Sequence, residues 1–267
     1  MDSETIIAIF TAIGASKLLE PTTEAIGERI KDNLGKIASK AKAKLENNSI
    51  GETVQPNYRV LNAVSKEGAY CDDELMAEYF GGVLASSVSE ISRDDRGASF
   101  ASLIGRLTTY QIRAHYIFYS TAKLLFNGRT DVSVISTKYR NKLETFIPKD
   151  SFNLAMEFSE KENASVILPS VMSGLARENL IERDFEVIGG EKTTYCGGNG
   201  VVFCPTDLGV ELFLWGHGKG DIPVAEFFKP EYSFTFETNI ELPKNYKSVD
   251  KALKYYQDIR ERIKPEF

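Results

Sequence analysis

The sequence predicts a mainly α-helical bundle with a small β-hairpin region in its second half. Apolar residues recur at steps of three and four through much of the stretch up to residue 126, which is the spacing of helix faces that pack on a core. Two short β-rich runs separated by glycines, near residues 187 and 202, predict a hairpin. At 267 residues, with 42% hydrophobic and 26% charged residues, the chain has the composition of an ordinary globular protein.

The N-terminal arm, residues 1–50, begins with the most apolar run of the chain. Residues 5–19 are fewer than the roughly 20 apolar residues that a membrane span needs, so we expect no transmembrane helix there. An amphipathic helix that docks on the protein or on a second subunit is favoured, and contact with a membrane surface stays open. The candidate assembly or membrane-contact residues are Ile6, Ile9, Phe10 and Ile13.

A second helix in the arm is predicted from Pro21 to Leu45 or Glu46. Pro21 suits a first helical turn, and apolar residues then repeat along one face. The other face is rich in lysine, and a solvated surface is favoured there over a site for anionic lipid or nucleic acid. Its lysines are Lys31, Lys36, Lys40, Lys42 and Lys44.

Residues 51–150 are predicted to form the helical core, organised around a helix that follows two aspartates. Asp72 or Asp73 is expected to cap its first turn. Glu78 is predicted to turn away from the core, and Gly81 with its neighbours predicts a close crossing with another helix. The residues predicted to face the core are Leu75, Tyr79, Gly82, Val83 and Ser86.

These core helices carry a recognisable order of motifs. It runs through a helix after Pro56, the helix of residues 72–87, the Ser-Phe pair at 99–100 and an Arg-Leu-Thr-x-x-Gln helix start at 106–111, with a Pro-x-x-Glu-Ala-x-Gly pattern upstream at 21–27. This order resembles the bacterial Abi-alpha (abortive infection alpha) family over residues 20–215. The resemblance implies a helical fold and a role in antiviral defence against phage, and it includes no catalytic motif. We therefore expect a defence protein that acts by protein assembly or membrane contact.

Residues 151–220 are predicted to form a winged-helix-like region. A helix from Val166 to Asn179 is followed by the hairpin, and Thr206 or Asp207 then caps a further helix. This order resembles the winged helix, in which the residues between the two strands form the wing. Because winged helices often bind DNA, a DNA-binding regulator is the first alternative function. The candidate nucleic-acid contacts are Arg177 and Lys192.

The charge of the chain argues against that alternative. The net charge is -6, and the candidate wing at residues 189–200 contains a single lysine. Phosphate contacts need clustered Lys or Arg, so we favour packing or protein contact for the winged-helix-like region. The expected partner is a second copy of the chain or another protein.

The C-terminal extension, residues 221–267, is predicted to add a strand and a helix. Apolar and polar residues alternate over residues 232–237, which is typical of a strand, and a helix is predicted over residues 248–263. This extension is expected to close the fold or to make a subunit contact.

No arrangement of residues identifies a reaction, so we expect neither enzymatic activity nor a bound cofactor. Cys196, Cys204 and His217 lack the spacing and the fourth ligand of a zinc site, and His115 is predicted to be a satisfied core histidine. The acidic clusters at residues 72–74 and 94–95 are best explained as a helix cap and a solvated loop. Because such carboxylates can also bind a divalent metal, a metal-dependent hydrolase or nuclease is the second alternative function. Three sparse cysteines and an acidic N-terminus predict a cytoplasmic protein.

Overall fold

The computed structural model describes residues 24–46, 56–89, 91, 93–188 and 199–249. Within these residues the fold is mainly helical with a small antiparallel sheet, as the sequence predicts. The helices are α1 (Glu24–Glu46), α2 (Tyr58–Gly68), α3 (Glu74–Ser86), α4 (Arg96–Arg106), α5 (Thr109–Phe126), α6 (Thr137–Arg140), α7 (Lys149–Met156), α8 (Ala164–Arg177) and α9 (Asp207–Gly216). The strands are β1 (Thr145–Pro148), β2 (Glu186–Ile188), β3 (Gly200–Phe203) and β4 (Lys247–Ser248).

The chain divides into two compact units, each assembled from separate stretches of sequence. The first unit comprises residues 1–112, 211–223 and 234–239. The second comprises residues 113–210, 224–233 and 240–267. None of the described helices combines the length and apolarity that crossing a membrane requires.

The core of the first unit is centred on α3, which packs against α1. The predicted apolar face of α1 is buried at Ile30, Leu34, Ile37 and Ala41, whereas Ile26 near its start is 43% exposed and Leu45 near its end is half-buried. The burial of α3 extends around the whole helix from Leu75 to Ala85, which is wider than the single stripe predicted. A helix buried on all sides is expected at the centre of a bundle.

The two glycines of α3 lie at close contacts, as predicted. A Cβ atom at Gly81 would be 2.7 Å from the Lys40 Cβ of α1. A Cβ atom at Gly82 would collide with the Gly216 carbonyl oxygen at the end of α9. Each glycine therefore lets a different segment approach the α3 backbone.

Side chains cap several helices. Asp73, not Asp72, caps α3, and Thr206 precedes α9 as its cap. The Asp73 carboxylate accepts a hydrogen bond from the Met76 amide at 2.8 Å. The Thr206 hydroxyl accepts one from the Gly209 amide at 3.1 Å at the start of α9. Each cap satisfies an amide in the first helical turn.

The prediction that Glu78 turns away from the core is wrong. Its side chain is fully buried, and its carboxylate contacts the ammonium groups of Lys40, at 3.0 Å, and Lys44. Both Thr238 donors, the amide and the hydroxyl, lie 3.3 Å from the same carboxylate. The expectation of a solvated lysine face is consequently wrong for two of its lysines, because they pair with a carboxylate on another helix.

The prediction of a strand over residues 232–237 is also wrong. This stretch is extended, but it belongs to no described strand pair. Its side chains still alternate between partly buried and exposed. Phe236 stacks on His217 with ring centroids 3.9 Å apart, so the alternation reflects packing against helices of the first unit.

The second unit contains the sheet, with strand order β2-β3-β1-β4 and antiparallel pairing throughout. Along the chain the elements run α5, the short α6, β1, α7, α8, β2 and β3, and β1 pairs with β3 so that Phe146 lies opposite Val202. Apart from the short α6, this order and pairing resemble those of a winged helix. Phe118 of α5 stacks on Phe203 of β3 with ring centroids 4.1 Å apart, and this contact joins α5 to the sheet.

Candidate functional site

The helix α8 occupies the position of the recognition helix, which DNA-binding helix-turn-helix proteins place in the major groove. It starts at a cap in which the Asn163 side chain accepts a hydrogen bond from the Ser165 amide at 3.1 Å. It ends near Asn179, whose left-handed backbone (φ 57°) is a common helix terminator. Its inner side is buried at Leu168, Val171, Met172 and Leu175.

The outer side of α8 is exposed and carries no charge along most of its length. Val166 keeps 68% of its surface accessible. No charged residue lies between Glu162 and Arg177 in the sequence. The exposed residues of this surface, named here the α8 face, are Ser165, Val166, Pro169, Ser170 and Ser173.

The two predicted nucleic-acid contacts are not brought together within the described residues. Arg177 stands at the last residue of α8, with its side chain 69% exposed and its Nε 3.5 Å from the Glu178 carboxylate. Lys192 lies outside the described residues, as do the four candidate contact residues of the arm, Ile6, Ile9, Phe10 and Ile13. The α8 face is therefore the predicted protein-contact region that the structure describes best.

An open cavity of about 480 Å³ lies elsewhere in the second unit. Arg140 lines this cavity and donates two hydrogen bonds, from Nη1 to the Glu182 carboxylate at 2.6 Å and from Nε to the Val134 carbonyl oxygen at 2.8 Å. The Cys204 thiol contacts the Arg140 carbonyl oxygen at 3.4 Å. The lining residues are Arg140, Asn141, Glu144, Glu182, Asp184 and Cys204.

The cavity is acidic, with three carboxylates against one guanidinium in its lining. Burial raises the pKa of the Glu144 carboxyl, and the charges of Glu186 and Asp184 raise it further. Burial raises the pKa of the Cys204 thiol to about 12, so the thiol is protonated at neutral pH and is a poor nucleophile. This surface disfavours ligands that carry phosphate.

This cavity is not predictable from the sequence, because its lining comes from separate stretches of the chain. The spacing of Cys196 and Cys204 predicts no zinc site, and Cys196 lies outside the described residues. Among the described residues, no group of three or more His, Cys, Asp or Glu side chains is placed to hold a metal ion.

His115 is a satisfied core histidine, as predicted. It is fully buried in α5, and its Nε2 lies 3.0 Å from the Gly209 carbonyl oxygen, to which it donates a hydrogen bond. Burial lowers the pKa of His115 to about 3, although the bond to Gly209 opposes this shift. The imidazole is therefore neutral at physiological pH.

No protein-family model matches the chain, and neither the curated proteins nor the solved structures include a match to it. The resemblance to the Abi-alpha family therefore stays a prediction drawn from the motifs at residues 56–111.

Proposed function

We propose that this protein takes part in defence against phage by binding another protein through the α8 face, without catalysing a reaction itself. The observation that carries this proposal is the uncharged, exposed outer side of the helix in the recognition position. The biological setting comes from the resemblance to Abi-alpha. We place the protein in the cytoplasm, where a few unpaired cysteines stay reduced.

The distribution of charge favours protein over DNA as the partner. Affinity for DNA is dominated by Lys and Arg contacts to phosphate. On α8 only Arg177 could make such a contact, and Glu178 beside it reduces its attraction for phosphate. Protein interfaces, in contrast, are depleted of charged residues at their centre, and none of the five exposed residues of the α8 face is charged.

The acidic cavity supports the same choice. Its lining sets Glu144, Glu182 and Asp184 against the single guanidinium of Arg140, so the cavity surface itself is negative. A negative surface opposes the approach of a phosphate backbone. The DNA-binding regulator is therefore ranked second. The apolar residues Ile6, Ile9, Phe10 and Ile13 are proposed to supply an additional assembly or membrane contact.

Phage challenge of bacteria that express the full chain tests the proposal. Val166→Asp places a charge at the centre of the α8 face, and we expect it to abolish protection. Leu124→Asp is the matched control, because Leu124 is 56% exposed on another helix of the same unit. We expect Leu124→Asp to protect as the wild type does.

Three results would contradict the proposal. The first is a wild-type chain that protects against no phage in a broad panel. The second is protection by Val166→Asp equal to that by the wild type. The third is salt-dependent retention of the purified wild type on duplex DNA that is lost in Arg177→Ala, because this would make α8 a DNA-contacting helix.

A further inference from the structure

We infer that the partner of the α8 face is a second copy of this chain, with the two α8 helices antiparallel across a two-fold axis between Pro169 and Ser170. This inference rests on the proposed function, because it names the partner of the same surface. A two-fold contact requires one surface to complement itself, and the α8 face does so in shape and in charge.

The shape of the face fits its own antiparallel copy. With the axis between Pro169 and Ser170, Val166 lies opposite Ser173 of the second copy, and Ser173 opposite its Val166. The most exposed apolar side chain of α8 thus meets a small one on both sides of the axis. Serines at the crossing allow two helix axes to approach to about 8 Å.

The charges at the two ends of α8 also complement each other in this arrangement. Arg177, 69% exposed, comes opposite Glu162 of the second copy, and the symmetry makes two such pairs. Glu162 is held at the other end of the helix, where its Oε2 accepts a hydrogen bond from the Ser159 amide at 2.7 Å. A parallel pair would instead set Arg177 against Arg177, which repels.

The size of this contact predicts how the dimer behaves. One pair of helices, each of 14 residues, lies at the low end of the areas that specific interfaces bury. We therefore expect an equilibrium between monomer and dimer that depends on concentration, with the dimer formed at high local concentration.

Site-directed cross-linking tests the geometry. Cys196→Ser provides the background, because the thiols of the buried Cys71 and the half-buried Cys204, each with a pKa raised to about 12, react slowly. In that full-length background, Ser170→Cys is treated with a short bismaleimide. Ser170 lies beside the axis, so we expect a covalent dimer at protein concentrations where Leu124→Cys, the collisional control, stays monomeric.

A second pair of variants distinguishes this register from any other. Ser173→Cys alone is not expected to cross-link to itself, because the two Ser173 positions are about 10 Å apart along the helix direction at a rise of about 1.5 Å per residue. Mixed with Val166→Cys, it should form the mixed dimer.

The outcomes separate this inference from the function it rests on. Ser170→Cys that cross-links no more than Leu124→Cys overturns the self-pairing. If Val166→Asp nevertheless abolishes phage protection, the α8 face binds a different protein and the proposed function stands. Efficient cross-linking of Ser170→Cys together with full protection by Val166→Asp would support the dimer and overturn the proposed function.

Discussion

The Glu78 carboxylate is the most heavily engaged charge in the described core. Burial alone would raise its pKa, but the ammonium groups of Lys44 and Lys40 outweigh burial and lower it, so the group is ionised at neutral pH. Thr238 adds two donors from the extended segment of the first unit. A buried ion of this kind makes its neighbours depend on it, because its removal would take away the ion-pair partner of the largely buried Lys44 ammonium.

We expect Glu78→Gln to lower the free energy of unfolding by about 3 kcal/mol, since it leaves the largely buried Lys44 ammonium without its ion-pair partner. Glu237→Gln is the control: Glu237 also pairs with Lys40, at 2.9 Å, but its side chain is 59% exposed. Its loss should cost less than about 1 kcal/mol. Urea denaturation measures both, and equal losses would show that the buried carboxylate has no special role.

His115 predicts a pH dependence of stability. Its folded pKa, about 3, lies below the ordinary value of 6.5. Between these values the unfolded chain binds a proton that the folded chain does not. The stability that neutral His115 contributes is therefore complete above pH 6.5 and falls by about 1.4 kcal/mol per pH unit as the pH decreases below it.

The variant His115→Gln isolates this contribution, because glutamine has an N–H for the Gly209 carbonyl and does not titrate. Unfolding free energies measured from pH 5 to 6.5 should fall more steeply with decreasing pH in the wild type than in the variant. Parallel pH profiles for the two proteins would mean that His115 is protonated in the folded state.

Helix starts and helix faces were predictable because their causes are local. The caps at Asp73 and Thr206 and the buried face of α1 follow from residues close in sequence. The burial of Glu78 was not predictable, because its lysine partners lie on another helix. Strand β1 was missed for a similar reason: its four residues, Thr145–Pro148, become a strand only by pairing with β3.

Gly82 of α3 and Gly35 of α1 predict opposite effects of the same substitution. Gly82→Ala would push a methyl group into the Gly216 carbonyl, so we expect a loss of about 1–3 kcal/mol. Gly35, within α1, has nothing within 4 Å of an added Cβ, and Gly35→Ala should gain up to about 1 kcal/mol. Thermal unfolding of both variants checks this, and a stabilising Gly82→Ala would contradict the close crossing.

The candidate site was only partly visible in the sequence. The uncharged run between Glu162 and Arg177 is plain to read, and the low charge of the wing already argued against DNA. The sequence does not predict which side of α8 faces outward or that α8 takes the recognition position. Both depend on the pairing of β1 with the hairpin, which only the structure shows. The acidic cavity depends entirely on tertiary structure, since residues 140–144 meet residues 182–184 and 204 only in the fold.

The winged-helix-like arrangement of the second unit shows why topology alone does not decide function. The same arrangement of elements binds DNA or protein according to the side chains on its outer surface. In this protein the side chains of α8 are uncharged from Ala164 to Ala176. We therefore base the expected partner on the charge of α8 and on its self-complementary ends.

Light scattering coupled to size-exclusion chromatography, over a range of loading concentrations, tests the central claim most directly. The wild-type molar mass should rise from that of one chain towards that of two as the concentration increases. Val166→Asp should remain at one chain throughout, and Leu124→Asp should behave as the wild type. A Val166→Asp protein whose mass follows the wild-type curve at every concentration would contradict assembly through the α8 face.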